Sequence, residues 1–313
     1  MSSPALVSIV GVSRSGTTLM RNVLNRSSSV AVASENYFLG HLVKSQGMRR
    51  ILCDRFSLAN DDDLRLLVDF IYSGEFRQVT WQKNWGYWRW LRDNVSRENL
   101  VRRLTRSDRT ERALFLALVG AYAEAQGKPI LGEKTPSHFR YLDQLFDWFP
   151  DAKVVHMVRD PRGNWWSEWR RRGRQKPHEL PGPYRLAKRT DTSLKALITA
   201  VVTYAWGEAM RARAWARREV PRSYLVVRFE DLVAAQGREI RRICRFLDIP
   251  FEPQMLDQEV VSRGHKQGMK GFDREAAKRW KEGIDPWVDR WFSTVFRHPL
   301  NDLGYLGNEG DNA

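Results

Sequence analysis

Cysteine is scarce in this chain, since Cys53 and Cys244 are the only two among its 313 residues. They lie far apart in the sequence, which excludes a disulfide framework and gives no zinc-ligand pattern. Long apolar runs are also missing: no stretch reaches the roughly 18 residues that a membrane-spanning helix needs. The apolar run Ala5–Val12 follows no basic segment and is too short for a signal-peptide core. We therefore expect a cytoplasmic protein without a transmembrane segment.

Acidic residues are outnumbered: 37 Asp and Glu stand against 52 Lys and Arg, and the formal net charge is +15. This balance indicates either nonspecific affinity for polyanions or a cationic cleft for a multiply charged nucleotide or an acidic acceptor. The sequence has no helix-turn-helix signature, zinc finger or RNA-recognition motif, so no specific nucleic-acid partner is predicted. Nothing in the sequence indicates the oligomeric state.

The first 33 residues read as the beginning of a βαβ unit. Leu6–Val10 is a β-branched apolar run that predicts a buried strand, and Thr17–Asn25 is an amphipathic helix. Val30–Val32 predicts the next strand, so the sheet is expected to be parallel. Further strands are predicted at Ile130–Leu131, Lys153–Val158 and Tyr224–Val227. We expect an α/β fold, with a central parallel sheet flanked by helices, in a single domain over residues 1–313.

Residues from about 40 to 128 are predicted to form a helical, aromatic-rich insertion in this domain. Asp61 is a candidate cap for one helix, and Ser107 or Thr110 can start another that ends near Gln126. Between them, Trp81–Trp90 holds five aromatic residues interleaved with polar ones. Two interpretations of these rings stay open. They either pack the insertion over the sheet or offer flat faces to a sugar, aromatic or lipid-like acceptor.

The segment Gly11–Thr18 lies between the first strand and the first helix, which is the position of an anion-binding loop. The helix N-terminus contributes about half a positive charge there. The pattern is similar to a Walker A loop, but Thr17 stands where the lysine of that motif should be. Arg14 instead places a guanidinium in the loop, suited to a bidentate grip on an oxyanion. The sequence therefore predicts an oxyanion site that is not built for a nucleoside triphosphate.

The stretch Ser13–Arg21 resembles the phosphosulfate-binding loop of the sulfotransferases that use 3′-phosphoadenosine 5′-phosphosulfate (PAPS) as donor. It is most similar to the tyrosylprotein and bacterial branch of that superfamily. The resemblance implies a P-loop-type three-layer fold and a donor held by the loop residues Arg14, Ser15, Gly16, Thr17 and Thr18.

A second nucleotide-binding element is expected after the strand Lys153–Val158. Arg159 and Ser167 have the eight-residue spacing of the family's 3′-phosphate motif, while Asp160 is predicted to cap the helix that follows. The resemblance also implies that Phe229, where the family usually has tyrosine, contacts adenine. It further implies that Lys270 and Gly271 belong to a loop that closes over the nucleotide.

Glu35 is the predicted general base, because the resemblance places the branch's catalytic glutamate 21 residues after the loop arginine. His41 is the rival base, since many cytosolic members of the superfamily use histidine. Lys134 lies in a Lys-x-Pro turn like the one whose lysine neutralises the leaving oxygen, and Arg14 is expected to act on the sulfuryl oxygens. Glu133 beside it is a candidate structural ion-pair partner. A sulfuryl group carries one negative charge, so no metal is expected to be required.

The sequence thus predicts transfer of a sulfuryl group from PAPS to a hydroxyl of a sugar, lipid, phenol or peptidyl tyrosine, by in-line displacement. A P-loop kinase of a small molecule is the alternative enzyme, and magnesium dependence would favour it. A non-enzymatic polyanion-binding protein is the alternative outside enzymes.

Overall fold

The computed structural model describes residues 6–41, 47–77, 86–257 and 271–306. Its central sheet has the strand order β2-β3-β1-β4-β5, and every neighbouring pair of strands is parallel. The strands are β1 (Leu6–Gly11), β2 (Val30–Ala33), β3 (Ile130–Lys134), β4 (Lys153–Val158) and β5 (Tyr224–Arg228). The predicted parallel sheet is confirmed, and each strand was recognised from its apolar run.

Helices connect the strands and cover both faces of the sheet. In the first half of the chain they are α1 (Thr17–Asn25), α2 (Met48–Cys53), α3 (Asp61–Ser73), α4 (Gly86–Asn94), α5 (Arg97–Thr105), α6 (Glu111–Ala125) and α7 (Leu142–Trp148). In the second half they are α8 (Pro161–Arg174), α9 (Gly182–Ala187), α10 (Asp191–Glu219), α11 (Phe229–Ala234), α12 (Gln236–Leu247), α13 (Pro286–Val295) and α14 (Arg297–Asp302). Short 3₁₀-helices lie at Glu75–Arg77, Pro136–Tyr141, Pro177–Glu179, Pro253–Leu256, Arg274–Ala277 and Arg279–Glu282.

Strand β1 is buried along its whole length, and its side chains alternate between two apolar cores. Leu6 and Val10 belong to the core shared with the helical insertion and α10, whereas Val7 and Ile9 belong to the core shared with α1 and α12. A sheet buried on both faces needs continuous apolar strands, and β1 and β4 have them. The predicted three-layer architecture is therefore confirmed.

The strand register determines which loops meet. Ile9 of β1 lies opposite Lys134 of β3, and Gly11 lies opposite Met157 of β4. Ala33 of β2 lies opposite Glu133. Because all these strands are parallel, their carboxyl ends, and the loops that follow, lie at one edge of the sheet.

The segment between β2 and β3 is helical, as expected, but the cap of α3 is Asn60 and not Asp61. The Asn60 side chain accepts hydrogen bonds from the main-chain nitrogens of Asp62 and Asp63, and Asp61 is already the first helical residue. Thr110 caps α6, which decides between the two predicted starts of that helix. Among the helices of the described residues, none has the length and apolar character that a membrane span requires.

The described aromatic residues of the Trp81–Trp90 segment pack inside the protein. Tyr87 and Trp88 are each 1% exposed, and the ring of Trp90 packs edge-on against Tyr122 with centroids 4.8 Å apart. Residues 78–85 lie outside the described part of the chain, so Trp81 and Trp85 are not covered. For the described rings, the packing interpretation is the one that the structure supports.

Candidate active site

The Gly11–Thr18 loop turns sharply between β1 and α1. Arg14 and Gly16 have positive φ values of 74° and 90°. A Cβ atom on Gly16 would lie 2.6 Å from the ring of Phe229, and one on Gly11 would lie 2.3 Å from the carbonyl oxygen of Met157. Both positions therefore need glycine, because the loop passes close to β4 and to α11.

The N-terminus of α1 is open to an anion. Gly16 is the N-cap residue and makes no side-chain hydrogen bond to the helix. The main-chain N–H groups of the first turn have no acceptors inside the helix, so an oxyanion placed there would receive their hydrogen bonds. Among the predicted loop residues, Ser15 and Thr17 are buried, Thr18 is half-buried and Arg14 is exposed.

Helix α8 holds the loop from the other side. Asp160 caps α8, as predicted, by accepting a hydrogen bond from the main-chain nitrogen of Arg162. One turn later, Nδ2 of Asn164 donates to the carbonyl oxygen of Ser13 at 2.8 Å and to Oγ of Ser15 at 2.9 Å. Asn164 is 1% exposed, and its Oδ1 has no hydrogen-bond partner. No pattern in the sequence indicates Asn164 as a site residue, because a single asparagine in a helix matches no motif.

The two predicted phosphate-binding elements lie in direct contact. Nε of Arg14 donates to Oγ of Ser167 at 2.9 Å. Nη1 of Arg159 donates to the carbonyl oxygen of Arg14 at 3.0 Å. The structure therefore brings Arg14, Arg159 and Ser167 together at one place beside the α1 N-terminus.

The guanidinium of Arg159 is almost entirely enclosed, with 7% of the residue exposed. Its Nη2 donates to the carbonyl oxygen of Ala276 at 2.6 Å, and its carbon lies 4.5 Å from the centroid of the Phe229 ring. Nε is buried without a partner. Burial lowers the pKa of Arg159 to about 10, although the nearby Glu230 carboxylate opposes that shift. An arginine enclosed in this way retains its charge at neutral pH, and the two contacts above use only two of its five N–H groups.

Phe229, predicted to contact adenine, is 7% exposed and is part of the core on the α1 side of the sheet. One face of its ring is covered by Arg159, and its edge lies against Gly16. Lys270 lies outside the described residues, while Gly271 is the first residue after that gap and has a φ of 96°. The segment that follows reaches the site through Ala276.

Glu35 and Lys134 form a buried ion pair at the same sheet edge. Nζ of Lys134 lies 2.5 Å from Oε1 of Glu35, and the two side chains are 5% and 17% exposed in that order. Burial lowers the pKa of Lys134, and the negative charge of Glu35 opposes the shift. The hydroxyl of Tyr37 donates to Oε2 of Glu35 at 2.7 Å. Lys134 therefore contacts one oxygen of the Glu35 carboxylate, and Tyr37 contacts the other.

His41, the rival base, lies in the same loop. Its ring centroid is 5.4 Å from that of Tyr37. Burial lowers the pKa of His41, with Glu35 opposing the shift and Arg140 adding to it. A neutral imidazole is therefore favoured at this position.

The carboxylate of Glu133 contacts the ring of His138 and not the ammonium group of its neighbour Lys134. Successive strand residues point to opposite faces, and Glu133 projects into the core that Ser8 also faces. Its carboxylate accepts hydrogen bonds from Ser8 at 2.5 Å and from Asn36 at 3.3 Å, and Nδ1 of His138 lies 3.1 Å away. Burial alone would raise the pKa of Glu133, but its interaction with His138 and the hydrogen bonds from Ser8 and Thr135 lower it.

Within the described ranges, no group of three or more His, Cys, Asp and Glu side chains is arranged to hold a metal ion. Both cysteines, Cys53 and Cys244, are free.

Comparison with known proteins points to one family. The model described as "Sulfotransferase family" matches residues 4–253. Carbohydrate sulfotransferase 1 of Danio rerio is 27% identical over 176 residues, which are 50% of this chain and 38% of that protein. A putative protein-tyrosine sulfotransferase of Caenorhabditis elegans is 24% identical over 236 residues, which are 73% of this chain and 81% of that protein. The chain thus spans well under half of the first relative's length and most of the second's.

Solved structures share the fold. The sulfotransferase domain of the Synechococcus PCC 7002 olefin synthase superposes with a TM-score of 0.57 at 20% identity, over 95% of this chain and 96% of that one. The sulfotransferase domain of the curacin biosynthetic pathway gives 0.56 at 17% identity, over 95% and 99%. A mouse sulfotransferase, SULT7A1, complexed with PAP gives 0.51 at 12% identity, over 97% and 88%. These likenesses confirm the predicted P-loop-type fold.

Proposed function

The chain belongs to the sulfotransferase family, and we propose that it transfers a sulfuryl group from PAPS to a hydroxyl group of an acceptor. The observation that carries this proposal is the arrangement at one sheet edge of an anion site, formed by the Gly11–Thr18 loop, and a buried Glu35–Lys134 ion pair. The first can hold a charged donor, and the second can supply a base and a cation.

The residues of the site fit a nucleotide with phosphates at both ends. The open N-terminus of α1 and Arg14 suit the 5′-phosphosulfate, while Arg159 and Ser167 suit the 3′-phosphate. The buried Nε–H of Arg159, which has no hydrogen-bond partner, is a donor beside this loop. The mouse relative of the same fold was solved with PAP, the nucleotide that remains after sulfuryl transfer. We therefore propose PAPS as the donor.

The chemistry that we propose is an in-line displacement at sulfur. The acceptor oxygen forms a bond to sulfur while the bond between sulfur and the bridging phosphate oxygen breaks, and the electron pair of that bond stays on the departing oxygen. Glu35 takes the proton of the acceptor hydroxyl. Lys134 and Arg14 stabilise the negative charge that develops on the departing and sulfuryl oxygens. We propose that this reaction needs no metal, because those cations can supply the charge that a metal would give.

For the acceptor we propose a hydroxyl of a sugar, lipid, phenol or peptidyl tyrosine. The names of the two curated relatives indicate carbohydrate and protein-tyrosine acceptors for those proteins. We further propose that residues 1–313 form one domain, because the helices between β2 and β3 share an apolar core with the sheet. A cytoplasmic location and the absence of a specific nucleic-acid partner stay predictions of the sequence.

Transfer of labelled sulfate from PAPS to panels of sugars, phenols, tyrosine peptides and lipids tests the proposal. We expect wild-type protein to label at least one class in the presence of a chelator, and Glu35→Gln to label it far less. Wild-type transfer no greater than that of protein-free controls in every class would overturn the proposal. Transfer of the γ-phosphoryl group of ATP in the presence of magnesium would favour the kinase alternative.

A further inference from the structure

Tyr37 has a backbone conformation that a bulky residue rarely adopts. Its φ is +52°, in the left-handed region where glycine and asparagine are the usual occupants. Strained residues of this kind persist only where their surroundings leave the chain no alternative, and they cluster at functional sites. Tyr37 lies two positions after the proposed base, Glu35.

The left-handed turn has a direct geometric consequence. It lets the Tyr37 side chain fold back along the loop, so that its hydroxyl donates to Oε2 of Glu35 at 2.7 Å. Lys134 approaches the other oxygen, Oε1, from β3 at 2.5 Å. The carboxylate is therefore held between one donor from its own loop and one from the sheet, and its plane is fixed.

Neighbouring elements fix this conformation through Asn36, the residue before Tyr37, and through the main chain of Tyr37 itself. The main-chain nitrogen of Asn36 donates to Oγ1 of Thr135 at 3.2 Å, and Nε1 of Trp88 donates to the carbonyl oxygen of Asn36 at 3.1 Å. The carbonyl oxygen of Tyr37 itself accepts from the nitrogen of Met48 at 3.0 Å.

The residues that follow Tyr37 are held in the same way. Oδ1 of Asn36 accepts from the nitrogen of Phe38 at 2.8 Å, and Nε2 of His138 accepts from the nitrogen of Leu39 at 3.3 Å. His138 is in turn held by Glu133. Contacts from the β3 end and from the helical insertion thus impose the strained turn.

We propose that Tyr37 is a positioning residue for the Glu35 base: its hydroxyl fixes the direction of the carboxylate and favours its ionised form. This inference rests on the proposed function. The charged and titratable groups around this pair include Lys134 from β3, His41 from the same loop and Arg171 from α8. Arg21 from α1 and Glu133 from β3 act on Lys134, and Arg140 acts on His41. Burial raises the pKa of Tyr37, and the charge of Glu35 adds to that shift, so the hydroxyl keeps its proton.

Tyr37→Phe tests the proposal, since it keeps the ring and removes the hydroxyl. We expect kcat to fall about 10- to 100-fold, the size of one lost hydrogen bond to a charged group, while KM for PAPS stays within about threefold. The acidic limb of the pH profile of kcat should move to higher pH, because an ionised carboxylate that loses a donor is more easily protonated. In a Glu35→Gln background, Tyr37→Phe should cause no further loss.

Tyr72→Phe is the matched control, because the Tyr72 hydroxyl donates to the carbonyl oxygen of Val95 within the helical insertion. It should lower the melting temperature without changing kcat or the pH profile. Tyr37→Phe with wild-type kcat, or with reduced kcat but an unmoved pH profile, overturns the positioning role. That failure is distinct from failure of the proposed function, in which the wild-type protein itself transfers no sulfate. Melting temperature and PAP affinity establish that each variant is folded.

Discussion

Nε of Arg14 lies 2.9 Å from Oγ of Ser167, although 153 positions separate the two residues in the sequence. The contact joins the loop after β1 to the helix after β4. Because β1 and β4 are parallel neighbours, the loop and the helix start at the same edge of the sheet. The two halves of the proposed nucleotide site are therefore parts of one hydrogen-bonded unit. A substitution in either half should alter the position of the side chains in the other.

Arg159→Lys should weaken the binding of PAP, the nucleotide with a 3′-phosphate, about 10- to 100-fold. Lysine keeps the charge but loses the planar group that hydrogen-bonds at several points. Binding of AMP, which has no 3′-phosphate, should change by less than about threefold if the role of Arg159 is phosphate-specific. Calorimetry with both nucleotides measures this difference. Arg290→Ala, an exposed arginine on α13, is the control. Equal losses for PAP and AMP would argue against a 3′-phosphate site at Arg159.

Asn164→Ala should loosen the Gly11–Thr18 loop. The substitution removes the donor to the Ser13 carbonyl and to Ser15 Oγ, which are 2.8 and 2.9 Å from Nδ2. We expect the free energy of unfolding to fall by about 1–3 kcal/mol and PAP affinity to fall with it. Thr199→Val removes the acceptor of a buried hydrogen bond from Nε1 of Trp165, which lies beside Asn164 on α8, and should lower stability only. If both variants retain full PAP affinity, Asn164 does not shape the anion site.

Glu35→Gln should retain PAP binding and lose turnover by about 10²–10⁴-fold, the usual contribution of a general base. Stability should fall as well, because Lys134 is left buried beside a neutral amide. The measurement is single-turnover transfer with saturating PAPS. His41→Gln is the matched comparison, and we expect a much smaller loss from it. A larger loss of turnover in His41→Gln than in Glu35→Gln would indicate that His41, and not Glu35, is the general base.

His156 on β4 makes folding stability depend on pH in the acidic range. It is fully buried, its Nδ1 contacts the Tyr224 hydroxyl, and burial, with the charge of Arg213, lowers its pKa to about 3. The unfolded chain takes up a proton below pH 6.5 and the folded protein does not, so this contribution to stability declines as the pH falls from 6.5 towards 3. The decline is at most about 1.4 kcal/mol per pH unit.

Urea unfolding of wild type and His156→Gln between pH 7 and pH 4 (about the range in which histidine differs between the two states) measures this dependence. The variant should be less stable at pH 7 and should lose less stability on acidification. Parallel stability curves for the two proteins would show that His156 does not cause the acid sensitivity. Both proteins contain Glu133, so its contribution to the pH dependence cancels in the comparison. The lowered pKa of its carboxyl affects stability only around and below its ordinary value of 4.5.

Local sequence patterns predicted the architecture well. The apolar runs of β1 and β4 and the amphipathic pattern of α1 gave bounds within one residue of those observed. The cap of α3 was misassigned, because Asn60 and Asp61 are both good N-cap residues and only the backbone geometry separates them.

The candidate site was only partly visible in the sequence. Motif spacing drew attention to Arg14, Arg159 and Ser167, and the structure places them together. The left-handed conformation of Tyr37 could not be predicted, because contacts distant in sequence impose it. The hydrogen bonds of Asn164 to Ser13 and Ser15 could not be predicted either, since these partners belong to a different βα unit.

Calorimetric titration of PAP into the wild-type protein, in an excess of chelator, tests whether this site binds a phosphosulfate nucleotide without a metal. We predict saturable binding of one nucleotide per chain, with the same affinity when magnesium replaces the chelator. We also predict that combining Arg14→Ala with Arg159→Lys weakens binding by about 100-fold or more. Absence of binding heat at high micromolar PAP, or binding that appears only with magnesium, would contradict the assignment of this site to a phosphosulfate nucleotide.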